Sequence, residues 1–246
     1  MTMSQTTHNV VRSKQDRMTA VQTAINKTKM TTALVWNPWP GVMEQGVTTE
    51  AIKSPAKSGQ VPEIIGEGQT LGDFMSPVLI SFGSTLGLGG PVTQNTFDEA
   101  RKRAKARYVT MGRTFYKEFA SGNCTLFACA IIGMLSEQPK LLGPGVKVEL
   151  LNLLNTEGGG GHAYVVVGRA AGDVNDVDTY GPDCFFVDQW YARQQGTQPG
   201  VQGVKDATPG NGVNPFWDAT FDRFIREATT RVMLTFTSDE LPQLRF

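Results

Sequence analysis

Charge excess and long apolar runs are missing from this chain of 246 residues, and no secretory leader is expected. The 23 Lys and Arg balance the 23 Asp and Glu, so charge gives no reason to expect a nucleic-acid partner. No apolar run approaches the ~20 residues that a membrane-spanning helix needs. The N-terminus lacks the apolar segment of a cleaved signal peptide. With 40% hydrophobic residues, the chain is expected to be globular with a sizeable core.

Cysteine and histidine are also scarce. Three cysteines, an odd number, do not make a disulfide framework, and their places in or beside apolar runs favour reduced thiols. Cys124 and Cys129 are five residues apart and would lie on different faces of one helix, so neither a metal nor a cofactor is expected. Of the two histidines, His8 lies close to the N-terminus. His162 is therefore the one imidazole expected in the folded core.

The first third of the chain shows little periodicity. Residues 1–32 are rich in Ser, Thr and Gln and predict a disordered or weakly helical tail, which is a candidate export address. Residues 33–90 are rich in Gly, Pro and Ser and predict a long loop region. That region is expected to pack against a single domain over residues 33–246, with its core at 96–237.

An amphipathic helix is predicted over residues 96–120. Thr96 and Glu99 fit a capping box, and apolar residues follow at three- and four-residue steps. Its other face is basic and consists of Arg101, Lys102, Arg103, Lys105 and Arg107. This basic face (residues 101–107) is interpreted either as a solvated surface or as a contact patch for an acidic partner or membrane surface.

The next segment brings a thiol to the start of a buried helix. Ser121, Gly122 and Asn123 predict a loop, and the uncharged run 125–135 predicts a helix enclosed by protein. Cys124 would sit among the unpaired N–H groups at the positive end of the helix dipole. These conditions lower a thiol pKa, so Cys124 is the candidate nucleophile.

The remainder predicts a sheet. Strands are expected at residues 146–155, 162–168, 184–188 and 231–237, with a helix at 216–228. The predicted class is α+β, with helices early and a mostly antiparallel sheet late. If strands 162–168 and 184–188 pair antiparallel, the start of one lies beside the end of the other, which brings His162 next to Asp188. A carboxylate there fixes the imidazole tautomer and leaves the second nitrogen for a thiol, so the predicted triad is Cys124, His162 and Asp188.

Three short motifs resemble those of the papain-like superfamily. They are Gly122-Asn123-Cys124 at a helix start, Gly161-His162-Ala163 at a strand start, and Val187-Asp188-Gln189-Trp190 at a strand end. The pattern is similar to compact Cys-His-Asp domains of bacterial effectors and toxins, including effector cysteine proteases and dermonecrotic-toxin-like glutamine deamidases. The resemblance covers residues 96–191 and implies a papain-like fold, in which a helical part with the nucleophile packs on the sheet that carries the other two residues.

The resemblance also implies supporting roles. Trp190, two residues after the acid, would shield the bond between Asp188 and His162. Papain-like proteases carry an oxyanion-binding glutamine six residues before the cysteine, and here that residue is Glu118. The backbone N–H of Cys124 and a second amide, with Asn123 as a candidate, would have to replace it.

The expected function is thiol-dependent attack on a carboxamide or peptide bond of a host protein. The resemblance implies an exported bacterial effector or toxin, secreted without a cleaved signal and acting in the host cytoplasm. Glutamine deamidation is the favoured reaction, and effector proteolysis is the alternative. Transglutamination would pass through the same thioacyl intermediate. A non-catalytic interaction module that retains the fold is the alternative outside enzymes.

Overall fold

The computed structural model of the protein describes residues 12–30, 32–33, 94–154, 161–194, 203–207 and 229–245. Four α-helices lie in these ranges: α1 (Lys14–Ile25), α2 (Gln94–Glu118), α3 (Cys124–Glu137) and α4 (Gln189–Gln194). Short 3-10 turns occur at Pro139–Leu141, Val177–Thr179 and Leu241–Gln243. None of the helices in the described ranges is long and apolar enough to cross a membrane.

Seven strands in the same ranges form two sheets. The strands are β1 (Thr32–Ala33), β2 (Ser121–Gly122), β3 (Lys147–Leu154), β4 (Gly161–Val167), β5 (Phe185–Val187), β6 (Val204–Asp206) and β7 (Thr229–Thr237). The main sheet has the order β6-β5-β4-β3-β7, and every neighbouring pair in it is antiparallel. β1 and β2 form a separate parallel pair. The predicted α+β class with an antiparallel sheet is confirmed.

The core lies between the sheet and α3, which packs along α2 and against β4. All of β4 except its first residue is buried, and all of the buried residues except His162 are apolar or aromatic. The uncharged helix α3 is buried from Leu126 to Ser136, as its composition predicts. α2 begins at Gln94, before Thr96, so the predicted N-cap at Thr96 is wrong.

The N-terminal segment, for which a disordered or weakly helical tail was predicted, is helical over part of its length. Residues Lys14–Ile25 form α1, whose N-terminus is capped by the Ser13 side chain accepting from the N–H of Asp16. Val21 and Ile25 have no exposed surface and belong to the main hydrophobic core. The Gln22 side chain also accepts a hydrogen bond of 2.9 Å from the N–H of Val204, in edge strand β6. Composition alone did not predict this helix, because only three of its residues, Val21, Ala24 and Ile25, are buried in an otherwise polar segment.

Several predictions fall outside the described residues. The expected loop region at 33–90, apart from Ala33, and the expected helix at 216–228 are among them. α4, by contrast, was not predicted. It begins directly after Asp188, whose carboxylate accepts a hydrogen bond of 3.0 Å from the N–H of Tyr191 and so caps the helix.

Candidate active site

Cys124 is the first residue of α3, and the preceding residues fix the entry into that helix. Asn123 is the N-cap, and its Oδ1 accepts a hydrogen bond of 3.0 Å from the N–H of Leu126. A Cβ on Gly122 would lie 2.8 Å from the Cβ of Leu126, so only glycine fits where β2 turns into α3. Cap and glycine together present the Cys124 side chain at the helix N-terminus.

The thiol of Cys124 is half-buried, and its surroundings favour the ionised form. Burial alone would raise its pKa. The hydrogen bond and positive charge of His162, together with a backbone hydrogen bond from Ala163, outweigh burial and lower the pKa of Cys124 below its ordinary value. The thiolate is the nucleophilic form, so this environment activates the sulfur.

His162 lies near the start of β4, with its side chain fully buried. Its Nε2 lies 2.5 Å from Oδ2 of Asp188, which leaves Nδ1 as the ring nitrogen for the thiol of Cys124. Burial opposes the charged imidazole, but the charge and hydrogen bond of Asp188, and then those of Cys124, raise the pKa of His162 to about 10. The pair therefore favours thiolate with imidazolium over thiol with neutral imidazole.

Asp188 is held by the backbone on both sides. β5 ends at Val187, which pairs with Val165 of β4, so the next residue along β5 lies level with Tyr164, on the same face as His162. The N–H of Asp188 donates to the carbonyl of Gly203 at 2.8 Å. Its Oδ1 caps α4 while its Oδ2 faces His162, so both carboxylate oxygens are used and their direction is fixed. The predicted antiparallel pairing of these two strands is confirmed.

Two aromatic rings enclose the imidazole. Trp190 lies with its ring centroid 5.2 Å from that of His162 at an interplanar angle of 42°. The ring of Tyr164 is stacked on His162, with a centroid distance of 5.8 Å and an angle of 10°. Trp190 was predicted as a supporting residue, whereas Tyr164 was not. The signal for Tyr164 was present, because residues two apart on a strand share a face.

The other two cysteines have the opposite character. Burial raises the pKa of the Cys129 thiol well above its ordinary value, and its Sγ donates a hydrogen bond to the carbonyl oxygen of Tyr108 at 3.2 Å, which also favours the neutral thiol. Burial also raises the pKa of Cys184, to about 12. All three thiols are free, and Cys124 is the only one of them whose pKa is lowered.

The start of α3 provides N–H groups that could donate hydrogen bonds to an oxyanion. Glu118 is exposed at the end of α2, and its carboxylate has no amide N–H to donate to an oxyanion. Asn123 uses Oδ1 as a helix cap, and its carbonyl accepts from the N–H of Phe127. The first two N–H groups of α3, those of Cys124 and Thr125, lie at the positive end of the helix dipole, where a developing negative charge is stabilised.

Other predicted features lie away from this centre. In the basic face (residues 101–107), Lys105 hydrogen-bonds Glu240 at 2.5 Å and lies over the ring of Phe236. Lys102 and Arg103 are exposed. In the described ranges, no three His, Cys, Asp or Glu side chains converge in a way that would hold a metal ion.

Comparisons with protein-family models, curated proteins and solved structures find no match to this chain. Fold and site therefore define the class by their geometry alone. The protein is an α+β protein in which a cysteine at a helix N-terminus, a histidine at a strand start and an aspartate at the end of the neighbouring strand meet.

Proposed function

We propose that the protein is a thiol-dependent hydrolase or acyltransferase of papain-like architecture, with Cys124, His162 and Asp188 as its catalytic triad. The observation that carries the proposal is the hydrogen bond between Nε2 of His162 and Asp188, together with the effect of His162 on Cys124, whose pKa it lowers. A buried imidazole that is held by a carboxylate and lowers the pKa of a thiol is an arrangement typical of nucleophilic catalysis at an acyl carbon.

The reaction follows from the protonation states of the pair. The thiolate of Cys124 attacks the carbonyl carbon of an amide and forms a C–S bond, and the carbonyl π electrons move onto oxygen. As the oxyanion collapses, the C–N bond breaks and imidazolium His162 protonates the departing nitrogen. Water then attacks the thioester while neutral His162 takes its proton, and the C–S bond breaks, which releases a carboxylic acid and restores the thiolate of Cys124 beside imidazolium His162.

The substrate class is an amide carbonyl in a host protein, and glutamine deamidation is the leading reaction. In that case the departing nitrogen is ammonia, whereas proteolysis releases a peptide amine and transglutamination admits an amine in place of water. The motifs of residues 96–191 resemble those of effector domains with the first two activities. The free thiols fit action in a reducing compartment such as the host cytoplasm.

The test compares intact masses of host-lysate proteins after treatment with wild type, Cys124→Ala and Cys184→Ala. Cys184→Ala is the matched control, because it removes a buried thiol whose pKa is raised. Deamidation predicts a gain of about one dalton on a target, since NH₂ is exchanged for OH. The change should depend on Cys124 and survive in the control.

The remaining outcomes decide among the alternatives. Fragments that depend on Cys124 would assign proteolysis, and a mass gain equal to an added amine less ammonia would assign transglutamination. No change dependent on Cys124, together with a target that binds wild type and Cys124→Ala equally, would replace the enzyme with an interaction module.

A further inference from the structure

We propose that Tyr164 is a positioning residue for His162: its ring holds the imidazole in the plane that faces both Cys124 and Asp188, and favours the charged form of that imidazole. This inference rests on the proposed function, because it assigns Tyr164 a role in the same triad. Tyr164 does not act on a substrate itself; it acts through His162.

The first support is the geometry of the two rings. Tyr164 and His162 are two residues apart on β4 and so lie on one face of the sheet. Their centroids are 5.8 Å apart and the rings are within 10° of parallel. An aromatic face within about 6 Å of a cation attracts it electrostatically, and the attraction is stronger when water is excluded. Both side chains are buried, with 3% of Tyr164 and 1% of His162 exposed.

The second support is the way the Tyr164 ring is anchored. The Tyr164 hydroxyl accepts a hydrogen bond from the Thr230 side chain and donates one to the oxygen of Tyr180. The Tyr180 hydroxyl in turn donates to the carbonyl of Val174 at 2.7 Å. A chain of hydroxyls in which each donates onward fixes the ring at its far end. Burial raises the pKa of Tyr164 well above its ordinary value, so its hydroxyl stays protonated.

The charged and titratable groups around His162 come from few elements. Asp188 faces it from the end of β5 and Cys124 faces it from the start of α3. Trp190 of α4 contributes an uncharged ring, and the residue opposite His162 on β3 is Leu153. Asp188 and Cys124 raise the pKa of His162, and the Tyr164 ring adds to their effect by placing electron density against the imidazolium.

The experiment removes the ring in one variant and only the hydroxyl in another. Tyr164→Met keeps the bulk without an aromatic face, and Tyr164→Phe keeps the face without the hydroxyl. Phe236→Leu is the control, because Phe236 is a fully buried aromatic residue of the same sheet, opposite Val148 at the far end of β3 from Leu153. Tyr164→Leu is made in parallel, and thermal unfolding identifies which variants are folded.

The readout is the titration of His162 by imidazole NMR. The chain has two histidines, so a His8→Ala variant assigns the signals. The titrations use a Cys124→Ala background, which removes the coupled thiol. We expect the midpoint of His162 to fall by about one pH unit in Tyr164→Met or Tyr164→Leu, and to stay within about 0.3 in Tyr164→Phe and in the control. A Tyr164→Met or Tyr164→Leu midpoint equal to that of the background, or a Tyr164→Phe midpoint that falls equally, overturns the inference.

A second measurement separates failure of this inference from failure of the proposed function. The rate of Cys124 alkylation is measured against pH in the wild-type thiol background. If Cys124 ionises in the parent protein like an ordinary thiol, the proposed function fails, whatever the titration of the variants shows. If Cys124 is activated and the loss of the Tyr164 ring changes neither its pH dependence nor the His162 midpoint, the positioning role alone fails.

Discussion

Gly112 of α2 and Gly133 of α3 meet backbone to backbone. A Cβ on Gly133 would lie 2.0 Å from the carbonyl carbon of Gly112, and a Cβ on Gly112 would lie 2.1 Å from the carbonyl oxygen of Cys129. The atoms in the way belong to backbone and cannot rotate aside. This crossing therefore sets how closely α2 supports α3, the helix whose first residue is Cys124.

Gly133→Ala should destabilise the protein. The added methyl group forces the two helices apart, and the cost of overpacking exceeds the gain in helix propensity, so we expect the free energy of unfolding to fall by about 2 kcal/mol or more. Chemical denaturation measures this fall. Thr114→Ala, on the exposed side of α2, is the control and should change stability by less than about 0.5 kcal/mol. Equal stability of Gly133→Ala and wild type would contradict the close crossing.

The N-terminal helix should contribute to stability and not serve as a dispensable tail. Ile25→Ala removes a side chain with no exposed surface from the core, which costs about 2–5 kcal/mol. Gln15→Ala, at an exposed position of the same helix, should leave the unfolding midpoint nearly unchanged. Denaturant titration of the full chain makes the comparison. A loss below about 0.5 kcal/mol for Ile25→Ala would mean that α1 does not dock in solution.

The sequence predicts the contact between His162 and Asp188 better than it predicts the packing around them. An antiparallel hairpin of two strands is enough to bring Asp188 next to His162, and β4 and β5 pair in that way. Strand pairing of neighbouring segments is a local property, and patterns of apolar residues report it well.

Long-range packing explains what the sequence did not predict. The burial of Ile25 depends on partners far along the chain. The close contact between Gly112 and Gly133 depends on how the two helices cross, which the local sequence does not indicate. An aspartate before a helix-compatible run is a typical N-cap signal, so the cap that Asp188 makes on α4 was predictable from the sequence. Asp188 was instead predicted only as a member of the triad. Asp188 thus follows the end of β5, caps α4 with one carboxylate oxygen and faces His162 with the other.

Cys124 should react with iodoacetamide at pH 6 much faster than the other two cysteines. Its pKa is lowered through His162 and a backbone hydrogen bond from Ala163, while burial raises those of Cys129 and Cys184. Peptide mapping after brief labelling should place at least about 90% of the label on Cys124, since only the thiolate reacts. His162→Ala should slow this labelling at least about 10-fold, through loss of the opposite charge. Labelling of the unfolded protein, where the three thiols should react alike, is the control.

Asn123 should matter first as a helix cap. Asn123→Ala leaves the N–H of Leu126 without its acceptor, so we expect a loss of about 1 kcal/mol of stability, and Asn123→Ser should restore most of it. Cysteine labelling and thermal unfolding of both variants check this. If the amide of Asn123 instead binds the oxyanion, Asn123→Ser will be stable yet turn over the lysate target at least about 100-fold more slowly.

The reactivity of the triad should follow a bell-shaped pH profile whose alkaline limb depends on Asp188. A peptidyl vinyl sulfone is a suitable probe, because the thiolate of Cys124 adds to its β-carbon and imidazolium His162 protonates its α-carbon. The rate should rise with pH as Cys124 ionises, with a midpoint below that of an ordinary thiol. It should fall again as His162 loses its proton, near the raised pKa of about 10.

Asp188→Asn should act chiefly on the alkaline limb and the height of that profile. The charge of Asp188 is the largest cause that raises the pKa of His162, so its removal shifts the fall in rate to lower pH and reduces the maximum by about 100-fold or more. Asparagine still offers Oδ1 to the N–H of Tyr191, so the cap on α4 and the unfolding midpoint should be kept. Asp188→Ala loses cap and charge together and should be less stable by about a further 1 kcal/mol. An Asp188→Asn profile that coincides with wild type would remove Asp188 from the triad, because a carboxylate 2.5 Å from Nε2 cannot be neutralised without effect if it orients and charges the imidazole.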